Sequence, residues 1–177
     1  MRVFGFAGWS GSGKTTLIEQ VIPQLVGRGL AVSLIKHAHH HFEVDHAGKD
    51  SWRHRHAGCT EVLISSGLRW ALMHELRGTP EPTLPDALAR LSACDIALVE
   101  GYKAARIPKL EIWRASVGKP PLHPTDASIL GIATDDPALL AGGPAPRLPG
   151  FRLDDYDGIA TFVLARATVY PQSIDPS

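Results

Sequence analysis

The chain has 177 residues, a length that suits one domain with an ordinary hydrophobic core. Lys and Arg together number 18, as do Asp and Glu, so no basic excess points to nucleic acid or to an anionic membrane surface. The two cysteines, Cys59 and Cys94, form no C-x-x-C pair and give no disulfide framework, which fits a reducing compartment.

Glycines interrupt the short apolar run at the N-terminus, so we expect neither a signal peptide nor a membrane span there. We therefore predict a cytoplasmic protein. Its single domain is expected over residues 1–170, and residues 171–177 are expected to form a flexible tail.

The first predicted elements are a buried strand over Val3–Ala7, a glycine loop, and a helix over Lys14–Arg28 with apolar residues at helical spacing. Pro23 lies inside that helix and predicts a kink or an early end. Near-continuous apolar runs predict three more strands, at Leu30–Lys36, Asp95–Gly101 and Ile129–Thr134. Because such strands need cover on both faces, the pattern predicts an α/β fold with a parallel sheet.

The middle of the chain predicts a β-hairpin, with strands at Glu61–Ser66 and Arg69–Leu76 joined at Gly67. Lys109–Trp113 alternates polar and apolar residues, which is typical of a half-exposed or edge strand. Other helices are predicted near Lys49–Ala57, Leu84–Leu91 and Tyr156–Ala167, with proline-rich surface loops at Thr79–Pro85, Gly118–Pro124 and Gly142–Gly150. The segment from Thr168 onward is predicted to be poorly ordered.

The segment "GWSGSGKT" matches the P-loop pattern G-x-x-x-x-G-K-[ST] in full, between a predicted strand and a predicted helix. In such a loop, backbone N–H groups and the helix N-terminus surround phosphate oxygens. We expect Lys14 to reach the β- and γ-phosphates and the Thr15 hydroxyl to coordinate Mg²⁺. The nucleotide-binding residues predicted here are Gly8, Ser10, Gly11, Ser12, Gly13, Lys14, Thr15 and Thr16.

A P-loop needs a further carboxylate near the magnesium ion, usually at the end of a neighbouring buried strand. Glu100 ends the strand predicted at Asp95–Gly101, where open α/β sheets place ligand groups, so we favour it for the metal. The Gly101 backbone is then expected near the γ-phosphate. Asp95 lies at the other end of the strand, where solvation of the strand start explains it at least as well.

The base is harder to assign, because the chain contains no asparagine and so lacks the N-K-x-D element by which ordinary GTPases hold guanine. Asp135 and Asp136 follow the strand predicted at Ile129–Thr134, and either carboxylate could accept hydrogen bonds from guanine. An Asp pair before Pro137 is also an ordinary turn and helix-capping sequence. The residues alone leave the two interpretations about equal.

Several of these segments, in this order, resemble the molybdopterin-guanine dinucleotide biosynthesis protein B family of P-loop GTPases. They are "GWSGSGKTTL" (Gly8–Leu17), "IKHAHH" (Ile35–His40), "VDHAGKDS" (Val44–Ser51), Ala57 with Gly58, "RWALM" (Arg69–Met73), "LVEGYK" (Leu98–Lys103) and "IATD" (Ile132–Asp135). His41 departs from a position that is often acidic in relatives, and Gly142–Gly150 has no counterpart that we can assign.

The resemblance implies a three-layer P-loop NTPase fold whose mostly parallel sheet is extended by a β-hairpin or edge strands. It also implies a homodimer with strands that extend across the subunits, GTP and Mg²⁺ as cofactors, and slow intrinsic hydrolysis. The partner would be the guanylyltransferase that joins GMP to molybdopterin. By the same resemblance, Asp135 is the residue that approaches guanine.

The histidine-rich stretch "IKHAHHHFEVDHAGKDS" follows the second predicted strand, where P-loop GTPases carry a switch segment. In that interpretation Asp45 is a metal-shell carboxylate, and phosphate, either of the nucleotide or of molybdopterin, is contacted by Lys36, His37 and His39. A second interpretation is capture of Ni²⁺ or Zn²⁺ by imidazoles, and a third is a solvated loop. The candidate metal ligands among the histidines are His39, His40, His41 and His46. No cysteine lies in the stretch, and the spacing of its residues matches no closed structural zinc pattern.

The leading hypothesis is a GTP-binding adapter that carries Thr15, Asp45 and Glu100 around Mg²⁺, with Lys14 neutralising phosphate charge. No catalytic base or arginine finger stands out, so at most slow hydrolysis is expected. A small-molecule kinase is a second hypothesis, although the arginines are scattered and form no lid pattern. A metallochaperone GTPase is the third.

Overall fold

The computed structural model describes residues 1–38, 42–140 and 148–170, which fall into two compact units. One unit comprises Met1–His37 and the described residues from Leu84 onward, and the other comprises Ala38–Thr83. The three central histidines of the histidine-rich stretch, most of the predicted loop Gly142–Gly150, and the tail at 171–177 lie outside the described residues.

The strands are β1 (Arg2–Ala7), β2 (Val32–Lys36), β3 (Glu61–Ser65), β4 (Trp70–His74), β5 (Ile96–Glu100), β6 (Lys109–Trp113), β7 (Ile129–Thr134), β8 (Gly150–Arg152) and β9 (Thr168–Val169). The helices are α1 (Lys14–Val26), α2 (Asp50–His56), α3 (Leu84–Ala89), α4 (Pro137–Leu140) and α5 (Tyr156–Arg166). In the larger unit the strands form one sheet in the order β2-β5-β1-β6-β7-β8, all parallel, and β9 pairs antiparallel with the start of β1.

Both faces of this sheet are covered, as the apolar strands predicted. On one face, Phe4 and Phe6 of β1 pack in a core with apolar side chains of α1 and α5. On the other face, Val3 of β1 and Val99 of β5 pack with apolar side chains of α3. Neighbouring residues of a strand point to opposite faces, so each strand supplies both cores. The predicted α/β fold with a mostly parallel sheet is therefore confirmed.

Parallel strands place their carboxyl ends at one edge of the sheet, and that edge positions the candidate site. The P-loop follows β1, Lys36 ends β2, and Glu100 ends β5. Arg114 follows β6 and Asp135 follows β7. Five segments that are distant in sequence therefore present their side chains at the same edge.

The prediction that Lys109–Trp113 is a half-exposed or edge strand is wrong. β6 lies between β1 and β7, and the side chains of Lys109 and Glu111 are buried. Lys109 Nζ donates to the Lys103 carbonyl oxygen at 2.7 Å and to Asp126 Oδ2 at 2.8 Å. Because each polar side chain has partners inside the fold, the alternating pattern does not require contact with water.

Two smaller predictions are corrected in part. α1 continues past Pro23 to Val26, so the predicted early end is wrong, while the predicted kink stays a prediction; Val21 and Leu25 on either side of the proline are buried in the core. The segment predicted to be poorly ordered from Thr168 onward begins with β9, and the Tyr170 amide donates to the Met1 carbonyl oxygen at 3.1 Å.

The smaller unit contains the predicted hairpin, with β3 and β4 paired antiparallel and joined by a turn in which the Ser66 amide donates to the Arg69 carbonyl oxygen. Several large apolar side chains of this hairpin are exposed: Leu63, Ile64, Leu68, Trp70 and Leu72. Within the residues that the structure describes, every helix is too short or too polar to cross a lipid bilayer.

Candidate functional site

The P-loop joins β1 to α1 through a backbone that only glycine allows at its first position. Gly8 has a φ of 151°, and a Cβ atom there would collide with the Ile112 carbonyl oxygen and the Ser12 hydroxyl. Gly13 is the N-cap residue of α1, with a φ of 92°, and it carries no side chain to cap the helix. The N-terminus of a helix of 13 residues is therefore available to an anion.

Two polar groups inside the loop are placed to contact a ligand. Lys14 Nζ is folded back on the loop and donates to the carbonyl oxygens of Gly8, at 3.0 Å, and Trp9, at 2.8 Å. Burial lowers the pKa of Lys14, and the nearby charge of Glu100 opposes that shift. Ser12 Oγ is buried and has no hydrogen-bond partner among the described residues. Phosphate oxygens would supply partners to both groups.

Thr15, Glu100 and Lys36 form a small polar cluster beside the loop. Thr15 Oγ1 donates to Glu100 Oε1 at 3.0 Å, and Lys36 Nζ lies 3.3 Å from both Thr15 Oγ1 and Glu100 Oε2. The Glu100 side chain is only 8% exposed. A hydroxyl oxygen next to a buried carboxylate is a donor set that suits Mg²⁺, so these residues fit the predicted metal.

The ends of β2 and β5 approach each other closely next to this cluster. The His37 amide donates to the Glu100 carbonyl oxygen at 2.8 Å, and a Cβ atom on Gly101 would lie 2.7 Å from the His37 Cβ. Tyr102 has a φ of 46°, an uncommon conformation for a non-glycine residue, and its ring centroid lies 4.7 Å from that of His37. His37 and Gly101 therefore lie beside Glu100, and their predicted contacts with phosphate stay predictions.

Asp135 lines a cleft of about 490 Å³ next to the P-loop, together with Gly13, Thr16 and Arg114. Arg114 Nη1 lies 3.4 Å from Asp135 Oδ2, and Arg114 Nε donates to the Ser12 carbonyl oxygen at 3.2 Å. Leu17, Leu140, Leu153 and Tyr156 add apolar surface to the cleft. Arg152 and Asp154 also line it, so the cleft has mixed polar and apolar walls, and the Asp135 carboxylate offers hydrogen-bond acceptors there.

Two other carboxylates that the sequence left open have structural roles. Asp136 Oδ1 accepts from the Ala138 amide at 2.8 Å, which is the capping interaction at the start of α4. Asp95 Oδ2 accepts from the Ala31 amide at 2.7 Å, at the amino end of β5. Asp95 is thus at the opposite end of the strand from Glu100.

Asp45 belongs to the smaller unit, where Arg55 binds it. Arg55 Nη2 lies 2.7 Å from Asp45 Oδ1, and the same guanidinium also pairs with Glu43 and Glu75. Hydrogen bonds from Arg55 hold the pKa of Asp45 below its usual range. Its predicted contact with Mg²⁺ stays a prediction.

The alternative of a transition-metal site has no support from the described part of the chain. There, no group of three or more His, Cys, Asp or Glu residues is arranged to hold a metal ion. His46 lies in that part, whereas His39, His40 and His41 lie outside it.

Sequence reasoning missed two residues at this edge of the sheet. Arg114 is one of the scattered arginines of the chain, and the rule that selects Glu100 also selects Arg114 once β6 is known to be a central parallel strand. Trp9, inside the P-loop, donates from its indole nitrogen to the Pro120 carbonyl oxygen at 2.8 Å, and Lys103 Nζ lies 4.8 Å from its ring centroid. The P-loop pattern treats that position as variable and gives no signal for it.

Comparisons with known proteins point to one family. The family described as "Molybdopterin guanine dinucleotide synthesis protein B" (MobB) matches residues 3–135. The molybdopterin-guanine dinucleotide biosynthesis adapter protein of Haemophilus influenzae is 45% identical over 138 residues, which are 76% of this chain and 75% of that protein. The adapter protein of the same name from Escherichia coli is 38% identical over 165 residues, 92% of this chain and 91% of the other.

Solved structures give the same result for the fold. A crystal structure of molybdopterin-guanine biosynthesis protein B covers 92% of this chain and 98% of its own, with a TM-score of 0.66 and 26% identity. The match to the crystal structure of Bacillus subtilis MobB covers 96% of this chain and 100% of that one, with a TM-score of 0.72. At 23% identity it supports the fold alone. The span of the family match and the identity to the adapter proteins lead to one conclusion: the chain belongs to the MobB family.

Proposed function

We propose that this chain is a GTP-binding adapter of molybdenum cofactor biosynthesis, which assists the guanylyltransferase that attaches GMP to molybdopterin. The observation that carries the proposal is the arrangement of Lys14, Thr15 and Glu100 on one side of the P-loop and Asp135 in a cleft on the other. The names of the related adapter proteins support the pathway.

In this proposal the P-loop amides, the helix N-terminus and Lys14 bind the phosphates. Thr15 and Glu100 would hold Mg²⁺, which would supply positive charge to the bound phosphates. Lys36 is near both oxygen donors in the structure, so it would have to move towards the phosphates when the metal binds. Asp135 would accept hydrogen bonds from guanine. Asp45 is a further candidate for the metal shell.

Glu100→Gln tests the metal site. We expect wild-type protein to bind GTP more tightly with Mg²⁺ than without it, because the metal joins the nucleotide to Thr15 and Glu100. Removing the carboxylate charge should weaken this Mg²⁺-dependent gain by about 10- to 100-fold while leaving metal-free GTP binding similar. Calorimetric titrations of GTP with Mg²⁺ and with EDTA measure both quantities.

Asp95→Asn is the matched control for this experiment. Asp95 lies at the amino end of the same strand and accepts from the Ala31 amide, so its loss should leave the Mg²⁺-dependent gain unchanged. An unchanged gain in Glu100→Gln would remove Glu100 from the metal shell.

The adapter role is tested by reconstitution. Adding this chain with GTP·Mg²⁺ to the guanylyltransferase and molybdopterin should raise the rate at which molybdopterin-guanine dinucleotide forms, while the chain alone hydrolyses GTP slowly. Turnover by the chain alone at roughly 1 to 1,000 per second would instead describe an ordinary enzyme and contradict the adapter role. Labelled ATP offered with small-molecule acceptors should give no phosphorylated product, since a product would support a kinase.

We also propose that the chain forms a homodimer through the β3–β4 hairpin. A two-stranded hairpin alone is marginally stable in water, and exposed apolar patches commonly mark interfaces. The most exposed of its apolar side chains are Leu68, at 91%, and Trp70, at 66%. A second copy of the chain could cover them by extending the hairpin.

Leu68→Glu with Trp70→Glu is expected to convert the dimer to a monomer, because carboxylates cannot be buried in an apolar interface without partners. Light scattering after size-exclusion chromatography measures the mass, and circular dichroism checks that the variant remains folded. His74→Ala, an exposed change on the same hairpin, should leave the dimer intact. A monomeric wild-type protein would contradict the proposal.

A further inference from the structure

We propose that Arg114 is a specificity-determining residue that positions the Asp135 carboxylate for base recognition. The inference rests on the proposed contact between Asp135 and guanine and goes one step further, since it assigns a role to a residue outside the P-loop pattern and outside the expected base element. Its support is the position of the Arg114 guanidinium between the P-loop and the Asp135 carboxylate.

Three observations place Arg114 in that position. Its Nε donates to the Ser12 carbonyl oxygen at 3.2 Å, so the side chain is anchored to the P-loop. Its Nη1 lies 3.4 Å from Asp135 Oδ2. A Cβ atom on Gly13 would lie 3.5 Å from the Arg114 guanidinium, so that group packs directly against the first turn of α1. The planar fork of arginine allows one side chain to make these contacts together.

The contact with Asp135 leaves that carboxylate able to bind a base. At 3.4 Å the interaction is mainly electrostatic, and a carboxylate has about four acceptor positions on its two oxygens. The Asp135 side chain is 46% exposed, so without a neighbour it would be free to change rotamer. A nearby fixed cation favours one orientation of the carboxylate, and a fixed orientation is needed to accept from two N–H groups of guanine.

The arrangement also connects the two ends of a bound nucleotide. Arg114 bonds to Ser12, whose buried hydroxyl belongs to the phosphate loop, and it lines the cleft that contains Asp135. A shift of the P-loop on phosphate binding would therefore move the Arg114 side chain and so change its contact with Asp135. An arginine that contacted only phosphate would strengthen binding of every nucleoside triphosphate equally. An arginine that positions Asp135 must affect guanine more than adenine.

The ratio of GTP affinity to ATP affinity separates these two roles. In Arg114→Ala we expect the ratio to fall about fivefold, the upper end for a partly exposed ion pair. In Arg114→Lys, which keeps the charge but cannot bridge Ser12 and Asp135, we expect ATP affinity close to wild type with a lowered ratio. In an Asp135→Ala background, Arg114→Ala should change the ratio no further. Calorimetry gives the affinities and thermal melting shows which variants are folded.

Arg28→Ala is the matched control. Arg28 belongs to the same unit, its side chain is 31% exposed against 39% for Arg114, and it pairs with Asp157 instead of lining the cleft. Its loss should leave the ratio unchanged. Equal loss of GTP and ATP affinity in Arg114→Ala, or a wild-type ratio in Arg114→Lys, would overturn the inference and leave the contact between Asp135 and guanine standing. A wild-type protein without any preference for GTP would overturn that contact as well.

Discussion

Asp135→Asn is expected to change the base preference of the cleft from guanine to xanthine. A carboxylate can accept hydrogen bonds from both N1–H and the exocyclic amine of guanine. An asparagine amide offers one acceptor and one donor, which matches N1–H and the carbonyl oxygen that xanthine carries in place of the amine. The variant loses a charge-assisted interaction with GTP worth about 1.5 to 3 kcal/mol, so GTP affinity should fall about 10- to 150-fold.

Competitive calorimetry with GTP, XTP and ATP on the wild type and the variant measures this change. Asp136→Asn is the control, because the Asp136 carboxylate is already used in capping α4 and its loss should leave the base preference unaltered. Retained GTP preference in Asp135→Asn would move the base contact away from Asp135. A switched preference in Asp136→Asn would assign the contact to its neighbour.

Much of the larger unit follows from local sequence patterns. The strand, the glycine loop and the helix over Arg2–Val26 are predictable because the P-loop has a fixed mechanism and fixed flanking elements. Glu100 is predictable because ligand groups gather where parallel strands end. The same rule does not separate Asp135 from Asp136 or from a capping turn, and only the family resemblance points to Asp135. The structure places both residues beside the P-loop, with Glu100 bonded to Thr15 and Asp135 in the adjoining cleft.

β6 shows where local patterns fail. Lys109 and Glu111 alternate with apolar residues, and alternation normally means that one face of a strand meets water. Here the polar side chains are satisfied by partners that the strand's own sequence does not reveal, Asp126 for Lys109 and the backbone at Leu122 and His123 for Glu111. The same error concealed Arg114, because an edge strand can run antiparallel to its neighbour, and its carboxyl end then need not lie where the ligand groups gather.

Asp45 shows a second limit. Its predicted metal role depended on its place in the histidine-rich stretch, whereas in the structure its carboxylate is bound by Arg55. Composition around Asp45 cannot indicate which of several nearby arginines will pair with it. The pairing of Asp45 with Arg55 depends on the tertiary arrangement of α2 and β4 in the smaller unit, where Arg55 also pairs with Glu75.

Glu111→Ala is expected to cause the largest loss of stability of any single change considered. The Glu111 side chain is fully buried, and its two oxygens accept from the Leu122 amide at 2.6 Å, from the His123 amide at 3.0 Å, and pair with His123 Nδ1 at 3.0 Å. Alanine would leave two amides and an imidazole without acceptors and would open a cavity in a central strand. We expect the free energy of unfolding to fall by about 3 to 5 kcal/mol, as when a buried pair loses one partner.

Urea denaturation at neutral pH measures that loss, and the chain supplies its own control. Glu61 also pairs with a histidine, His74, at 2.7 Å, but both side chains are about half exposed. Glu61→Ala should therefore cost less than about 1 kcal/mol, because water replaces the lost partner. Glu111→Gln keeps the side-chain volume and one acceptor, so its cost should lie between the two. Equal, small losses of unfolding free energy in Glu111→Ala and Glu61→Ala would contradict the prediction. They would mean that the loop around His123 opens to water and that Glu111 does not hold this loop against β6.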